Sequence, residues 1–258
     1  MNIDYDTHYG DDYWTGRKTY RTADGRTHVY HGPSLVWDGF NAIADTLAGL
    51  LPAGTLLDIG CGSGDLARRM LKRGFDAYGV DISDYAVRNA VPEMRGRLTL
   101  ADITTCPKTL EPPVLRSETP EKNRFPDQFD VLMATDLLEH IYEEDLNKTF
   151  DWMMSKTKTW MFFCVATAIP PASPAFELNK IEFVHKKGEP IPLEWEGTAV
   201  SGHVNVRVFG YWAKFFQEKG LKIDWQRMYL FQAKREMNKA WRDTGGWNMQ
   251  TTFVLKKS

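Results

Sequence analysis

The densest chemical signal in the chain is one short run, Asp58-Ile59-Gly60-Cys61-Gly62-Ser63-Gly64-Asp65. Glycine at alternate positions lets a backbone turn sharply and approach a nucleotide-like ligand, because no Cβ stands between them. The dinucleotide fingerprint GxGxxG needs glycine at position 65, where this chain has Asp65. A pyrophosphate held by such a loop sits at a helix N-terminus, and an added carboxylate there repels it. No GK[ST] follows, so the P-loop reading is disfavoured as well. Further acids stand where apolar runs end: Asp81, Asp102 and Asp136. Two histidines, His140 and His203, complete the candidates. Histidine titrates in the range useful for taking a proton from a hydroxyl.

Alternating elements position these residues. Thr55–Ile59, Ala77–Val80, Leu98–Ala101, Phe129–Ala134 and Trp160–Val165 read as strands. Helical stretches at Asp65–Lys72, Asp84–Ala90 and Glu143–Met154 fall between them. Such alternation predicts a doubly wound α/β sheet. Ahead of it, Ser34 can cap a helix carrying Trp37, Phe40, Ile43, Ala44, Leu47 and Leu51. Residues 1–33 mix Tyr, Trp, Asp and Gly without a period and read as an irregular arm. Beyond the fifth strand, Tyr211–Lys219 reads as a helix, with Lys222–Gln226 and Thr251–Lys256 as strands. Two segments break the alternation: Thr105–Gln128, and the proline-rich Ala166–Val200, whose length suits a lid.

The run (D/E)xGxGxG resembles motif I of the class I S-adenosylmethionine-dependent methyltransferases. Three further positions resemble that family in order: Gly79-Val80-Asp81-Ile82-Ser83, Ala101-Asp102-Ile103, and the segment from Phe129 to His140. The resemblance implies a Rossmann-like, seven-stranded, mostly parallel sheet with an antiparallel last strand and helices on both faces. It implies S-adenosylmethionine as cofactor. Asp81 would hold both ribose hydroxyls, Asp102 would accept from the adenine amino group, and Ile103 would pack on the ring. Asp58, Gly60, Cys61, Gly62, Gly64 and Ile82 would shape the pocket, while Asp136 and Leu137 border the methionine part. The cofactor's sulfonium is positive, so Asp58, Asp81, Asp102 and Asp136 tolerate it where a pyrophosphate would be repelled. An aromatic segment before the first helix covers the cofactor in related enzymes, which makes Tyr13, Trp14 and Arg17 candidates, Arg17 for the cofactor carboxylate.

On this basis residues 1–258 form one domain: arm and helix 1–51, cofactor-binding core 52–166, lid insertion 167–200, and C-terminal helix and strands 201–258. The segment Ser201–Phe209 (SGHVNVRVF) resembles a turn of small-molecule and sugar-modifying members. The expected reaction is methylation of a hydroxyl on a small molecule or sugar precursor, with His203, then His140, assisting. Two alternatives stay open. Asp136, Glu139, His140 and His203 have the residue types of a divalent-metal site and resemble the ExxEH…H set of RNA 2′-O-methyltransferases, so a metal-assisted RNA enzyme is one. A non-catalytic cofactor-binding scaffold is the other. Trp195, within the lid, is a candidate for stacking on an acceptor.

Composition bounds the rest. The 258 residues carry 32 Lys+Arg against 34 Asp+Glu, a balance that gives no general attraction to nucleic acid or anionic membrane. The longest apolar run, Trp160–Pro170, is too short to span a bilayer. Cys61, Cys106 and Cys164 show no metal or disulfide spacing and suit a reducing cytoplasm. Aromatics reach 13%, many of them in the arm, the lid and the C-terminal segment.

Overall fold

A computed structural model describes residues 8–15, 18–21, 27–30, 39–111, 125–168, 182–188, 194–195, 198–199, 202–242 and 250–257. After a short helix α1 (Asp11–Trp14) come strands β1 (Lys18–Arg21) and β2 (Thr27–Tyr30), then helix α2 (Gly39–Leu50). The alternating core follows as β3 (Thr55–Ile59), α3 (Asp65–Leu71), β4 (Asp76–Asp81), α4 (Asp84–Arg88), β5 (Leu98–Leu100), β6 (Phe129–Thr135), α5 (Glu143–Lys156) and β7 (Thr157–Cys164). Small strands β8 (Thr167–Ala168), β9 (Phe183–Val184), β10 (Glu194–Trp195), β11 (Thr198–Ala199) and β12 (Asn205–Val208) come next. Then come α6 (Phe209–Glu218), β13 (Leu221–Ile223), α7 (Trp225–Met237), α8 (Lys239–Arg242) and β14 (Thr252–Lys257).

Seven strands form one sheet in the order β13-β14-β7-β6-β3-β4-β5. β14 runs antiparallel to both its neighbours, and the other pairings are parallel. Alternation along each strand builds two cores. Leu56, Val131, Met133, Phe162 and Val254 face α2, α3 and α7. Leu57, Leu132, Ala134, Phe163, Phe253 and Leu255 face α5 and α6. Burying both faces is why these strands read as unbroken apolar runs. Each large side chain removed from water contributes about 1.5–3 kcal/mol. Asp130 pins the register of β3 on β6, its Oδ2 accepting from Thr55 N at 2.9 Å and Thr55 Oγ1 at 2.8 Å.

Two expectations are corrected. The arm is not wholly irregular: it contains α1 and an antiparallel hairpin pairing Lys18 with Tyr30 and Arg21 with Thr27. Asp24-Gly25 between those strands is a hairpin signal that the mixed polar and aromatic composition obscured. The strand expected over Lys222–Gln226 stops at Ile223, because Asp224 Oδ1 accepts from Arg227 N at 2.9 Å and starts α7. Exposed Trp225, Tyr229 and Leu230 hide the helical period of its buried residues Met228, Phe231 and Arg235. In the segment expected as a lid, β8 and β9 both pair with β12. Much of 167–200 lies outside the described residues.

The strand order reverses at β3: the chain moves outward through β4 and β5, then returns to β6 on the other side. Such a switch point opens a crevice at the carboxyl ends of the strands. The crevice depends on close approach of the glycine turn to β4. A Cβ on Gly79 would lie 2.6 Å from both Cys61 Sγ and Leu98 Cδ2. Gly79→Ala is therefore expected to cost about 1–3 kcal/mol, read as a lower urea midpoint at constant m value; an unchanged midpoint would show that the turn can shift.

Candidate active site

β3 delivers the chain into a turn that only glycine makes without strain. Gly60, Gly62 and Gly64 have φ of 72°, 56° and 82°. Gly60 N donates to Val80 O at 2.8 Å, which docks the turn on β4. The Asp81 carboxylate closes the assembly: Oδ2 accepts from Gly62 N at 2.7 Å and Oδ1 from Ser83 N at 2.8 Å. Burial nevertheless raises the Asp81 pKa, with those N–H groups opposing the shift. Asp58, at the end of β3, is 2% exposed, and its Oδ1 has no hydrogen-bond partner among the described residues. Burial and then repulsion by Asp81 push its carboxyl well above the usual carboxylate range. Burial likewise raises the Cys61 thiol, which stays neutral and packs beside Gly79. Asp65 is paired by its own helix, with Arg68 and with Arg69 at 3.1 Å.

Asp102 follows β5 and caps a single 3-10 turn, its Oδ1 accepting from Thr104 N at 2.8 Å and Thr104 Oγ1 at 2.7 Å. Ile103 is buried beside it. Across β3, β6 leads into Asp136, held at φ 51° in the left-handed region that Asp tolerates better than most residues. The 3-10 turn Leu138–His140 comes next. Glu139 is fully buried; its Oε1 accepts from Ala166 N at 2.9 Å, and its carbonyl accepts from Val204 N at 2.8 Å. The second contact brings His203 beside His140, with ring centroids 4.8 Å apart and planes at 80°.

This corner is electrostatically unusual. Burial, and then Asp136, push Glu139 up to about 8. Burial pushes His140 down to about 4, opposed by the Gly202 carbonyl. His203 falls well below its ordinary value through burial and the neighbouring His140. Both rings are therefore neutral at physiological pH. His140 Nδ1 lies 3.2 Å from the Gly202 carbonyl, which can only accept, and 2.8 Å from the Tyr9 hydroxyl, which can accept or donate, so both contacts suit a protonated Nδ1 that leaves Nε2 its lone pair. One ligand atom each from Glu139, His140 and His203 lies within 4.8 Å of the others, close enough to share a divalent cation. Asp136 does not join that group, which shortens the four-residue set expected from the sequence.

One cavity of about 460 Å³ takes in this whole edge. Of the anticipated residues, Asp58, Gly60, Cys61, Gly62, Asp81 and Ile82 line it, as do Asp102, Ile103, Asp136, Leu137, His140 and His203. Gly64 does not line it; it turns the chain into α3, packed against Met94 and Leu98. Arg17 and the Trp195 side chain lie outside the described residues. Tyr13 and Trp14 line the cavity, while Tyr9, Phe40, Thr104 and Ile141 are additions that no motif marked. Lys187 pairs with Asp145 at 2.5 Å. Among the described residues the lining carries five aspartates and no lysine or arginine. That surface suits a ligand with hydroxyl donors and a positive centre.

A sheet of this order, with a glycine turn and acidic strand ends at its switch point, defines a class I S-adenosylmethionine-dependent methyltransferase fold. The chain belongs to the Methyltransferase domain family, whose model matches residues 38–226. A curated relative, the ubiquinone biosynthesis O-methyltransferase of Nitrosomonas europaea, is 26% identical over 129 residues. That match covers 49% of this chain and 49% of the relative, so it spans about half the relative's length. The solved mitomycin 7-O-methyltransferase MmcR superposes with a TM-score of 0.50 at 12% identity, covering 85% of this chain and 53% of that one. Magnesium protoporphyrin IX methyltransferase from Synechocystis PCC 6803, solved with bound SAH, gives 0.47 at 13% identity over 85% of this chain and 84% of that one. No helix among the described residues is long and apolar enough to cross a membrane.

The buried acid and imidazole set opposite pH dependences. Glu139, raised from 4.5 to about 8, contributes stability that is full below its ordinary pKa and lost as pH rises through about 8. His140, lowered from 6.5 to about 4, contributes stability that is full above 6.5 and lost as pH falls toward about 4. Glu139→Gln keeps an acceptor for Ala166 N but cannot ionise. Its melting temperature relative to wild type is expected to climb between pH 5 and pH 9; a constant difference would show that Glu139 ionisation does not load the fold.

Proposed function

We propose that this chain methylates a hydroxyl group of a small molecule, such as a sugar or glycan precursor, with the buried histidines receiving the hydroxyl proton. The observation that carries this reading is the placement of two neutral imidazoles in the same cavity as the glycine turn and the acidic strand ends. The name of the curated relative, an O-methyltransferase, supports the same acceptor atom.

The residues fit the cofactor on their own chemistry. Asp58 presents a buried carboxyl oxygen with no hydrogen-bond partner among the described residues, and Gly62 keeps the wall open beneath Trp14, where a Cβ would come within 3.2 Å of the indole. When bound, S-adenosylmethionine supplies a methyl group on a positively charged sulfur. Asp81 would hold the ribose hydroxyls while keeping its two N–H bonds, and Asp102, whose Oδ1 is taken by Thr104, would offer its second oxygen to adenine. Gly60 and Gly62 let the backbone come close, and Asp136 and Leu137 border the reacting end. His140, with Nδ1–H engaged, offers the Nε2 lone pair to the acceptor hydroxyl, and His203 shares the pocket as second acceptor or orienting group. Both being neutral, they take a proton without first losing one.

A second reading rests on the spacing of Glu139, His140 and His203, in which a divalent cation orients the acceptor. Chelation separates the two: under the proton-acceptor reading turnover survives EDTA, whereas a loss restored by added cation would pass the role to a metal.

Asp81→Ala is expected to weaken S-adenosylhomocysteine binding at least tenfold in calorimetry, since hydrogen bonds to a charged group are lost; unchanged affinity would refute the cofactor assignment. His140→Ala and His203→Ala are expected to lower kcat about 10²–10⁴-fold with that affinity kept. Because His140 is held near 4, the acid limb of kcat should fall well below pH 6.5. Normal turnover in both variants, or a limb at 6.5, would remove the pair as base.

A further inference from the structure

The N-terminal segment 8–15 does more than roof the cavity. Its helix is a single turn, held by Tyr13 N and Trp14 N donating to Gly10 O at 3.1 and 3.4 Å and by Thr15 N donating to Asp11 O at 2.9 Å. Asp11 reaches Arg88 at 3.9 Å and Trp14 reaches Ser83, and Tyr9 makes contacts of two further kinds. The Tyr9 carbonyl accepts from Ser83 Oγ at 2.7 Å and from Trp14 Nε1 at 2.9 Å. Trp14 Nε1 is shared with Ser83 Oγ at 2.8 Å, and Ser83 is the residue whose N–H donates to Asp81. The side chain of Tyr9 reaches the other way. Its hydroxyl lies 2.8 Å from His140 Nδ1, and its ring meets the imidazole edge-on at 5.8 Å and 83°. One residue thus touches the turn that binds Asp81 and the ring expected to take the proton.

We propose that Tyr9 is a positioning residue: when the segment closes over the crevice, its hydroxyl and the Gly202 carbonyl together clamp His140 Nδ1–H and fix the imidazole in its working orientation. Open, the segment gives access to a cavity otherwise covered by Tyr9, Tyr13 and Trp14. Closed, it completes the base. Covering the ligand and orienting the histidine are one event, as with closing segments that assemble a site on binding. The inference rests on the reading of His140 as proton acceptor. It differs from simple anchoring, because the backbone carbonyl of Tyr9, not its hydroxyl, holds Ser83 and Trp14.

Tyr9→Phe tests it, since that change leaves the carbonyl contacts and the ring in place. In the protein saturated with S-adenosylhomocysteine, amide exchange at Tyr13, Trp14 and Thr15 is expected to quicken about fivefold in Tyr9→Phe and in His140→Ala, the loss of one ordinary hydrogen bond. In turnover, Tyr9→Phe is expected to lower kcat about tenfold with the cofactor KM within about twofold, and to add nothing to His140→Ala in the double variant. Unchanged exchange in both single variants would overturn the clamp. Changed exchange with kcat intact in Tyr9→Phe, or additive losses in the double variant, would reduce Tyr9 to an anchor and overturn the positioning role. If His140→Ala itself turns over normally while exchange quickens, the clamp stands and the proton-acceptor reading fails.

Discussion

Both oxygens of the Asp81 carboxylate are taken by backbone N–H groups from two different turns, Gly62 on one side and Ser83 on the other. Much of the crevice depends on this one acceptor. Gly62 fixes the glycine turn at the end of β3, and Ser83 starts α4 by accepting from Ala86 N. Ser83 also donates to the segment that covers the cavity. A buried carboxylate without such donors would be costly. With two strong ones it remains an acceptor, and a carboxylate has lone pairs left for ligand hydroxyls. The same group therefore shapes the pocket and is suited to reading its occupant.

The histidine corner follows a different logic. Nothing described there supplies a cation to Glu139, so burial and Asp136 favour its neutral form. The two imidazoles are likewise kept neutral by burial. Along the sheet edge, carboxyl groups line the β3, β4 and β5 ends, whereas beyond Asp136 at the β6 end Glu139 and both imidazoles are held neutral. The first region suits a cationic ligand, while the second is suited, on the proposed reading, to accept a proton without adding charge. The intervening strand β3 carries Asp58 and the glycine turn that spans the two.

Much of this was legible because each signal was local. A strand ending in Asp, or a glycine at every second position, states its own geometry within a few residues, so Asp58, Asp81, Asp102 and the Gly60–Gly64 turn could be placed from pattern alone. Gly64 shares that alternate spacing, yet its left-handed φ serves the entry to α3 rather than the pocket wall. Tyr9 was missed for the opposite reason. Its partners His140 and Ser83 are 131 and 74 positions away, and no periodicity announces such contacts. The Gly202 carbonyl, which meets His140 Nδ1, is a backbone group with no sequence signature at all. Helix α7 escaped because its exposed face is nearly as apolar as its buried one, and Asp224 as its cap was the signal that could have found it.

The central claim is that the acidic end of the crevice recognises a ribose through Asp81. Calorimetric titration of the unmodified protein with S-adenosylhomocysteine and with its 2′,3′-dideoxy analogue tests this without perturbing the fold. The account predicts binding of the parent compound and a loss of about tenfold or more for the analogue, the scale of hydrogen bonds to a charged acceptor. Equal affinities would contradict it.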